Sequence, residues 1–210
     1  TFLGIIAFLD PPKPDANEAI RGLYDAGVHV KVISGDAPVV VEHVCKLVGM
    51  KVGDQSAVTG SDLENMNDAK LSSVVEKNDI FARLSPMQKK RVVDALRNNG
   101  HVVGYMGDGV NDAPSLHDAD VGISVDNATD VAKASADIIL LEKSLTVILN
   151  GIYEGRRIYG NILKYMKMAL SSNFGNVFSV LIASIFLPFL PMLPLQILIQ
   201  NLIYDFTQIA

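Results

Sequence analysis

Residues 107–112 read Gly-Asp-Gly-Val-Asn-Asp, directly after the apolar run 101–106. Asp108 and Asp112 are two carboxylates and Asn111 an amide on one tight glycine turn, a donor set suited to a hard cation such as Mg²⁺. Gly107 and Gly109 let backbone and phosphate approach closely. Asp and Asn beside Gly are also ordinary turn chemistry, so this loop by itself leaves both readings open. A second loop, Ser34-Gly35-Asp36, follows the run 28–33. It offers a hydroxyl, a flexible backbone N–H and a carboxylate, donors that commonly meet phosphate oxygens. A third stretch, Ser85-Pro86-Met87-Gln88-Lys89, starts a helix with a capping box and places Lys89 on its first turn. Positive charge there opposes the helix dipole, which asks for an anion nearby; a solvated lysine beside Lys90 and Arg91 is the alternative.

The elements that must position these loops alternate in type. Runs 3–9, 28–33, 80–82, 101–106, 121–125 and 138–141 read as strands between amphipathic stretches, the pattern of a parallel α/β sheet with helices on both faces. In such sheets ligands bind outside the carboxyl ends of the strands, where all three loops fall. Ser61-Asp62-Leu63-Glu64 reads as another capped helix start.

Polarity breaks near residue 168. After Lys167 no Lys or Arg occurs, and Asp205 is the one acidic residue. A basic collar of Arg156, Arg157, Lys164 and Lys167 precedes the apolar run 177–190; Pro188, Pro191 and Pro194 interrupt it, and a second apolar stretch fills 195–210. This predicts a long stalk helix and a transmembrane hairpin, its second helix truncated, with the collar on the cytosolic side. Residues 1–150 then form one domain and 151–210 the stalk and membrane helices, with the chain cytosolic up to about residue 165.

Within the hairpin Asn173 and Asn176 fall three apart, Asn201 and Asp205 four apart, so each helix gathers polar groups on one face. For Asn176 and Gln200, hydrogen bonding between helices and ion ligation are equally open. An uncompensated carboxylate in a bilayer has no packing rationale, which makes Asp205 the candidate ligand for a transported ion. These helices contain neither Cys nor His, which disfavours a soft metal.

Composition excludes other classes. With 18 Lys and Arg against 23 Asp and Glu the chain is mildly acidic, which argues against nucleic acid as a partner. The single Cys45 can form no intrachain disulfide and reads as a small buried apolar residue, in keeping with a reducing compartment. Thr1 opens onto an apolar run and Ala210 ends within one, the look of a piece of a longer protein.

Taken in order, Asp10-Pro11-Pro12-Lys13, Ser34-Gly35-Asp36, the stretch 81–89 and the loop 107–112 resemble the haloacid-dehalogenase-like phosphorylation domain of P-type ATPases. The resemblance implies a metal role for Asp108, holding catalytic Mg²⁺. It implies phosphoryl contact or its support by Lys89, Asn111 and Asp112, a phosphate donor in Ser34 where most members carry Thr, and nucleotide and phosphate contacts at Gly35 and Asp36. Asp10 would belong to a supporting loop. The family's nucleophile lies in an Asp-Lys-Thr-Gly-Thr segment that these residues lack, so catalysis would need a parent protein. Thr59-Gly60-Ser61-Asp62 is superficially like the family's actuator motif but reads better as a helix start. Residues 171–180, 187–195 and 200–205 are similar to the bacterial magnesium-transporting branch, where calcium and sodium pumps tend to carry an acid at the place of Asn176. The implied protein is an ATP-driven pump for Mg²⁺ uptake in the bacterial plasma membrane, multi-pass, with ATP, the cation, the lipid bilayer and the parent's remaining domains as partners. A pump for Ca²⁺ or Na⁺/K⁺, or a soluble haloacid-dehalogenase-like phosphatase, are the alternatives.

Overall fold

A computed structural model describes residues 12–50, 57–142 and 144–209. The expected strand 3–9, and Asp10 with it, lie outside these. The described elements run α1 (Ala16–Asp25), β1 (Val32–Ile33), α2 (Pro38–Leu47), β2 (Val58–Thr59), α3 (Gly60–Glu64), α4 (Asp68–Lys77), β3 (Ile80–Ala82), α5 (Pro86–Asn98), β4 (Gly104–Met106), α6 (Ala113–Asp118), β5 (Val121–Val125), α7 (Asp130–Ala134), β6 (Ile138–Leu140), α8 (Thr146–Phe186) and α9 (Pro194–Ile209). Residues Thr1–Asn150 and Gly151–Ala210 form two compact units.

All strand pairs among the described residues are parallel, but they make two three-stranded sheets where one was expected, ordered β1-β3-β2 and β4-β5-β6. β3 is buried at every position, as a central strand covered on both faces must be. Its alternation assigns the faces: Ile80 and Ala82 join Ala16, Ile20, Val41, Cys45 and Val48 of the α1–α2 side. Phe81 joins Leu63, Leu71, Val75, Val92 and Leu96 of α3, α4 and α5. Burying each large side chain of this kind contributes about 1.5–3 kcal/mol. A third cluster holds Val93, Tyr105, Leu116 and Ala132, and Ile33 packs against both the second and the third. Cys45 is buried within the first cluster, and burial pushes its thiol pKa up, as the apolar reading of this residue requires.

Three boundaries differ from the sequence reading. β1 spans two residues of the run 28–33, and β4 begins at Gly104 because the Val103 N–H is taken by the Asp120 carboxylate at 2.9 Å rather than by a neighbouring strand. α3 is capped by Thr59, not Ser61. Asp62 Oδ2 accepts both the Thr59 N–H at 2.9 Å and the Thr59 hydroxyl at 2.6 Å, so the box is shifted two residues and Glu64 has no part in it. The two-residue β2 is too short to leave a periodic signature. The Ser85–Gln88 box forms as read.

In the second unit α8 carries no buried residue, and bulky side chains such as Phe174, Leu181, Ile185 and Phe186 are exposed. Its first residues, up to Asn150, belong to the first unit. α8 is the one described helix long and apolar enough to cross a membrane. α9 follows after a turn rich in proline, but its 16 residues span about 24 Å, short of a bilayer core of about 30 Å.

Candidate phosphoryl-transfer site

Lys89 sits one turn into α5, and its Nζ lies 2.7 Å from Oδ1 of Asp112; the two side chains are only 12% and 13% exposed. The Tyr105 hydroxyl donates to the same oxygen at 2.9 Å, and the Gly109 N–H reaches Oδ2 at 3.3 Å. Both oxygens of Asp112 are thus engaged. Burial alone would raise its pKa, but the hydrogen bond and charge of Lys89, with the Tyr105 hydroxyl, outweigh it and hold the carboxyl below its ordinary value. Tyr105 is pushed up, first by desolvation and then by the Asp112 charge.

The loop around Asp112 is tightly seated. Ser124, fully buried, donates to the Gly107 carbonyl at 2.9 Å, and the Gly107 N–H reaches the Ile123 carbonyl at 3.1 Å. The Asp108 carbonyl accepts from the Thr129 N–H at 3.0 Å and its hydroxyl at 3.3 Å. A Cβ on Gly107 would fall 2.5 Å from Cβ of Asp112, so glycine is required there by space. The side chains of Asp108 and Asn111 are exposed and make no hydrogen bond or ion pair among the described residues.

The Ser34 loop is bound to the segment before α5. The Ser34 N–H reaches the Phe81 carbonyl at 2.9 Å, the Leu84 N–H returns to the Ser34 carbonyl at 3.1 Å, and the Arg83 N–H donates to the Asp36 carbonyl at 2.9 Å. Arg83 holds a left-handed φ of 53° to make that last bond. α5 therefore carries one loop at its cap and the other through Lys89, which is how two strand ends in separate sheets come under one helix. Ser34 donates its hydroxyl to Asp36 Oδ2 at 2.9 Å and accepts the Asp36 N–H at 3.1 Å. To serve a phosphate it must rotate away from Asp36. Gly35 and Asp36 are exposed.

Of the expected residues, Lys89 and Asp112 are in direct contact, Asp108 and Asn111 share their loop, and Ser34, Gly35 and Asp36 form the second loop. Tyr105, Ser124 and Thr129 were missed. Tyr105 ends two residues before Gly107 inside a strand, where an aromatic residue reads as core. For Mg²⁺ the donors differ: Asp108 is an open carboxylate at a strand end, whereas both oxygens of Asp112 are already engaged. No group of three or more His, Cys, Asp or Glu side chains that could hold a metal occurs among the described residues. One protein carboxylate with waters and phosphate oxygens suits Mg²⁺, so the residues fit while leaving part of the donor set to other groups.

In the second unit the Asn176 amide donates to Asn201 Oδ1 at 3.4 Å and accepts from the Gln200 amide at 2.9 Å. Asn173 and Asp205 are exposed and stand outside this amide cluster.

The family model of the haloacid dehalogenase-like hydrolases matches residues 1–120, and the chain belongs to that family. Along its whole length it is 58% identical to a magnesium-transporting ATPase, P-type 1, of Salmonella typhimurium, and 56% identical over 99% of the chain to the Escherichia coli K12 protein of that name. A calcium-transporting ATPase of Bacillus subtilis is 37% identical over 98% of it. The chain spans 23% of the length of each of these relatives. Among solved structures, the catalytic domain of the CPx-ATPase CopB-B, studied for conformational changes upon nucleotide binding, matches with a TM-score of 0.51 at 27% identity, over 67% of this chain and 45% of that one.

Proposed function

We propose that the chain is part of an ATP-driven P-type cation pump of the plasma membrane that takes up Mg²⁺, with residues 1–150 belonging to its phosphorylation domain and 151–210 to a stalk and two membrane helices. The observation that carries this reading is the Lys89–Asp112 pair beside an open Asp108 carboxylate, on one chain with the exposed apolar helix α8. The steeper identity to magnesium-transporting than to calcium-transporting relatives favours Mg²⁺ as cargo.

In this reading the γ-phosphoryl of ATP passes to an aspartate supplied from outside these residues, with ADP leaving as the Pγ–O bond breaks. Lys89, held by Asp112, presents its remaining N–H donors to a phosphoryl oxygen and offsets developing negative charge. The Ser34 hydroxyl turns from Asp36 to a second oxygen, the Gly35 N–H faces the phosphate, and Asn111 supports it from the facing loop. Asp108 would hold Mg²⁺, whose charge would offset that of the phosphate when bound. In the membrane, Asp205 and Asn201, with Asn173 and Asn176, would line the path of the cation, the amide cluster holding α8 and α9 in register until the ion enters.

Asp108→Asn in the full-length parent tests the reading. Phosphoenzyme formation from ATP should fall by at least about tenfold and respond to added Mg²⁺. Undiminished phosphoenzyme at limiting Mg²⁺ would remove Asp108 from the metal site and the proposal with it.

A further inference from the structure

Asp15 stands at the N-cap of α1, where a carboxylate ordinarily accepts an N–H from its own first turn, yet it makes no such bond. Its Oδ2 instead accepts the Ser144 hydroxyl at 2.6 Å and the Leu145 N–H at 2.8 Å. α8 begins at the next residue. The Leu145 N–H is thus among the donors a helix start leaves unpaired, and a negative charge there is favoured by the helix dipole. Ser144 completes the turn by accepting the Thr146 N–H at 3.2 Å. The same Ser144 hydrogen bond is the chief cause that holds the Asp15 carboxyl below its ordinary value.

Apolar contacts reinforce the joint. Leu145 packs against the cluster built on Ile20 and Cys45, and the Leu149 side chain fills the space that Gly22, lacking a Cβ, leaves on α1. Immediately beyond, α8 carries Gly151, Gly155 and Gly160, and a Cβ at any of them would meet nothing within 4 Å, so packing does not demand them. Each lowers helix propensity by about 1 kcal/mol relative to alanine. A docked first turn is thus followed by a stretch that three glycines make intrinsically weak as helix.

We infer that Asp15 is a positioning residue that docks the first turn of α8 on α1 and so passes changes in the α/β unit into the helix. The docking stands on the geometry alone; the coupling rests on the pump reading above.

The test compares Asp15→Ala and Asp15→Asn with wild type in the full-length parent, by hydrogen exchange of the peptide 144–150, phosphoenzyme formation from ATP, and Mg²⁺ uptake. Asp15→Ala should raise exchange in 144–150 by about tenfold while α5 peptides stay unchanged. It should keep phosphoenzyme formation and lose most uptake. Asp15→Asn retains an acceptor oxygen without the charge and should fall between, and it serves if the alanine variant does not fold. Unchanged exchange in 144–150 overturns the docking. Raised exchange with equal losses of phosphoenzyme and uptake overturns the coupling, since Asp15 would then only support the domain. Raised exchange in a parent whose wild type forms no phosphoenzyme supports the docking and sinks the pump reading alone.

Discussion

Lys89 Nζ lies 2.7 Å from Asp112 Oδ1, joining the first turn of α5 to the loop after β4. Each side chain is nearly closed to solvent, so neither can lose its partner without leaving a charge poorly hydrated. Lys89 thus has a structural share beside the chemical one proposed for it. Lys89→Ala should impair phosphoryl transfer and also lower stability by about 1–3 kcal/mol, from the carboxylate left behind. Thermal unfolding of the parent beside a phosphoenzyme assay checks both, and an unchanged melting temperature would dissolve the structural share.

The same pair predicts a pH dependence. The folded pKa of Asp112 is depressed, so its stabilising contribution is present above the unfolded value and is lost as pH falls through the folded one. The stability gap between wild type and Asp112→Asn should therefore hold above about pH 5 and narrow as pH falls from there through the depressed folded value. A constant gap across that window would mean that charge plays no part in the pair.

Two glycines should respond oppositely to the same change. Gly107→Ala drives a methyl into Asp112, with contacts of 2.5 Å to Cβ and 2.8 Å to Cγ, whereas a Cβ on Gly35 meets only the Leu84 carbonyl oxygen, at 3.7 Å. Gly107→Ala should destabilise by about 1–3 kcal/mol and abolish phosphoenzyme formation, while Gly35→Ala should keep the wild-type melting temperature. Equal melting temperatures for the two variants would contradict the packing around Asp112.

On the proposed ion path Asp205 would serve as ligand, whereas Asn176 also holds α8 to α9. Asn176→Ala removes two hydrogen bonds between α8 and α9 and should weaken the hairpin. Asp205 makes no such bond, so Asp205→Asn should leave the hairpin intact and still reduce Mg²⁺ affinity, because a hard-cation site loses its charge. Uptake by Asp205→Asn equal to wild type across a Mg²⁺ titration would strike this carboxylate from the ion path.

Much of this protein is local and therefore legible in its residues. Ser85 and Gln88 cap α5 through bonds three residues apart, the glycine loop declares its carboxylates, and the charge-free run after Lys167 marks the apolar length of α8. What the residues could not reveal depends on partners far along the chain. Asp112 reads as one of two turn carboxylates suited to a cation until Lys89, 23 residues earlier, occupies its oxygen, and Tyr105 reads as core until its hydroxyl is seen on that same atom. Asp15 stands at the N-cap of its own helix, yet its carboxylate closes a helix 130 residues later. A hydrogen-bonding group can satisfy any partner that the fold brings within about 3 Å, and sequence spacing constrains only the near ones. Which distant partner wins is decided when the sheets and helices pack.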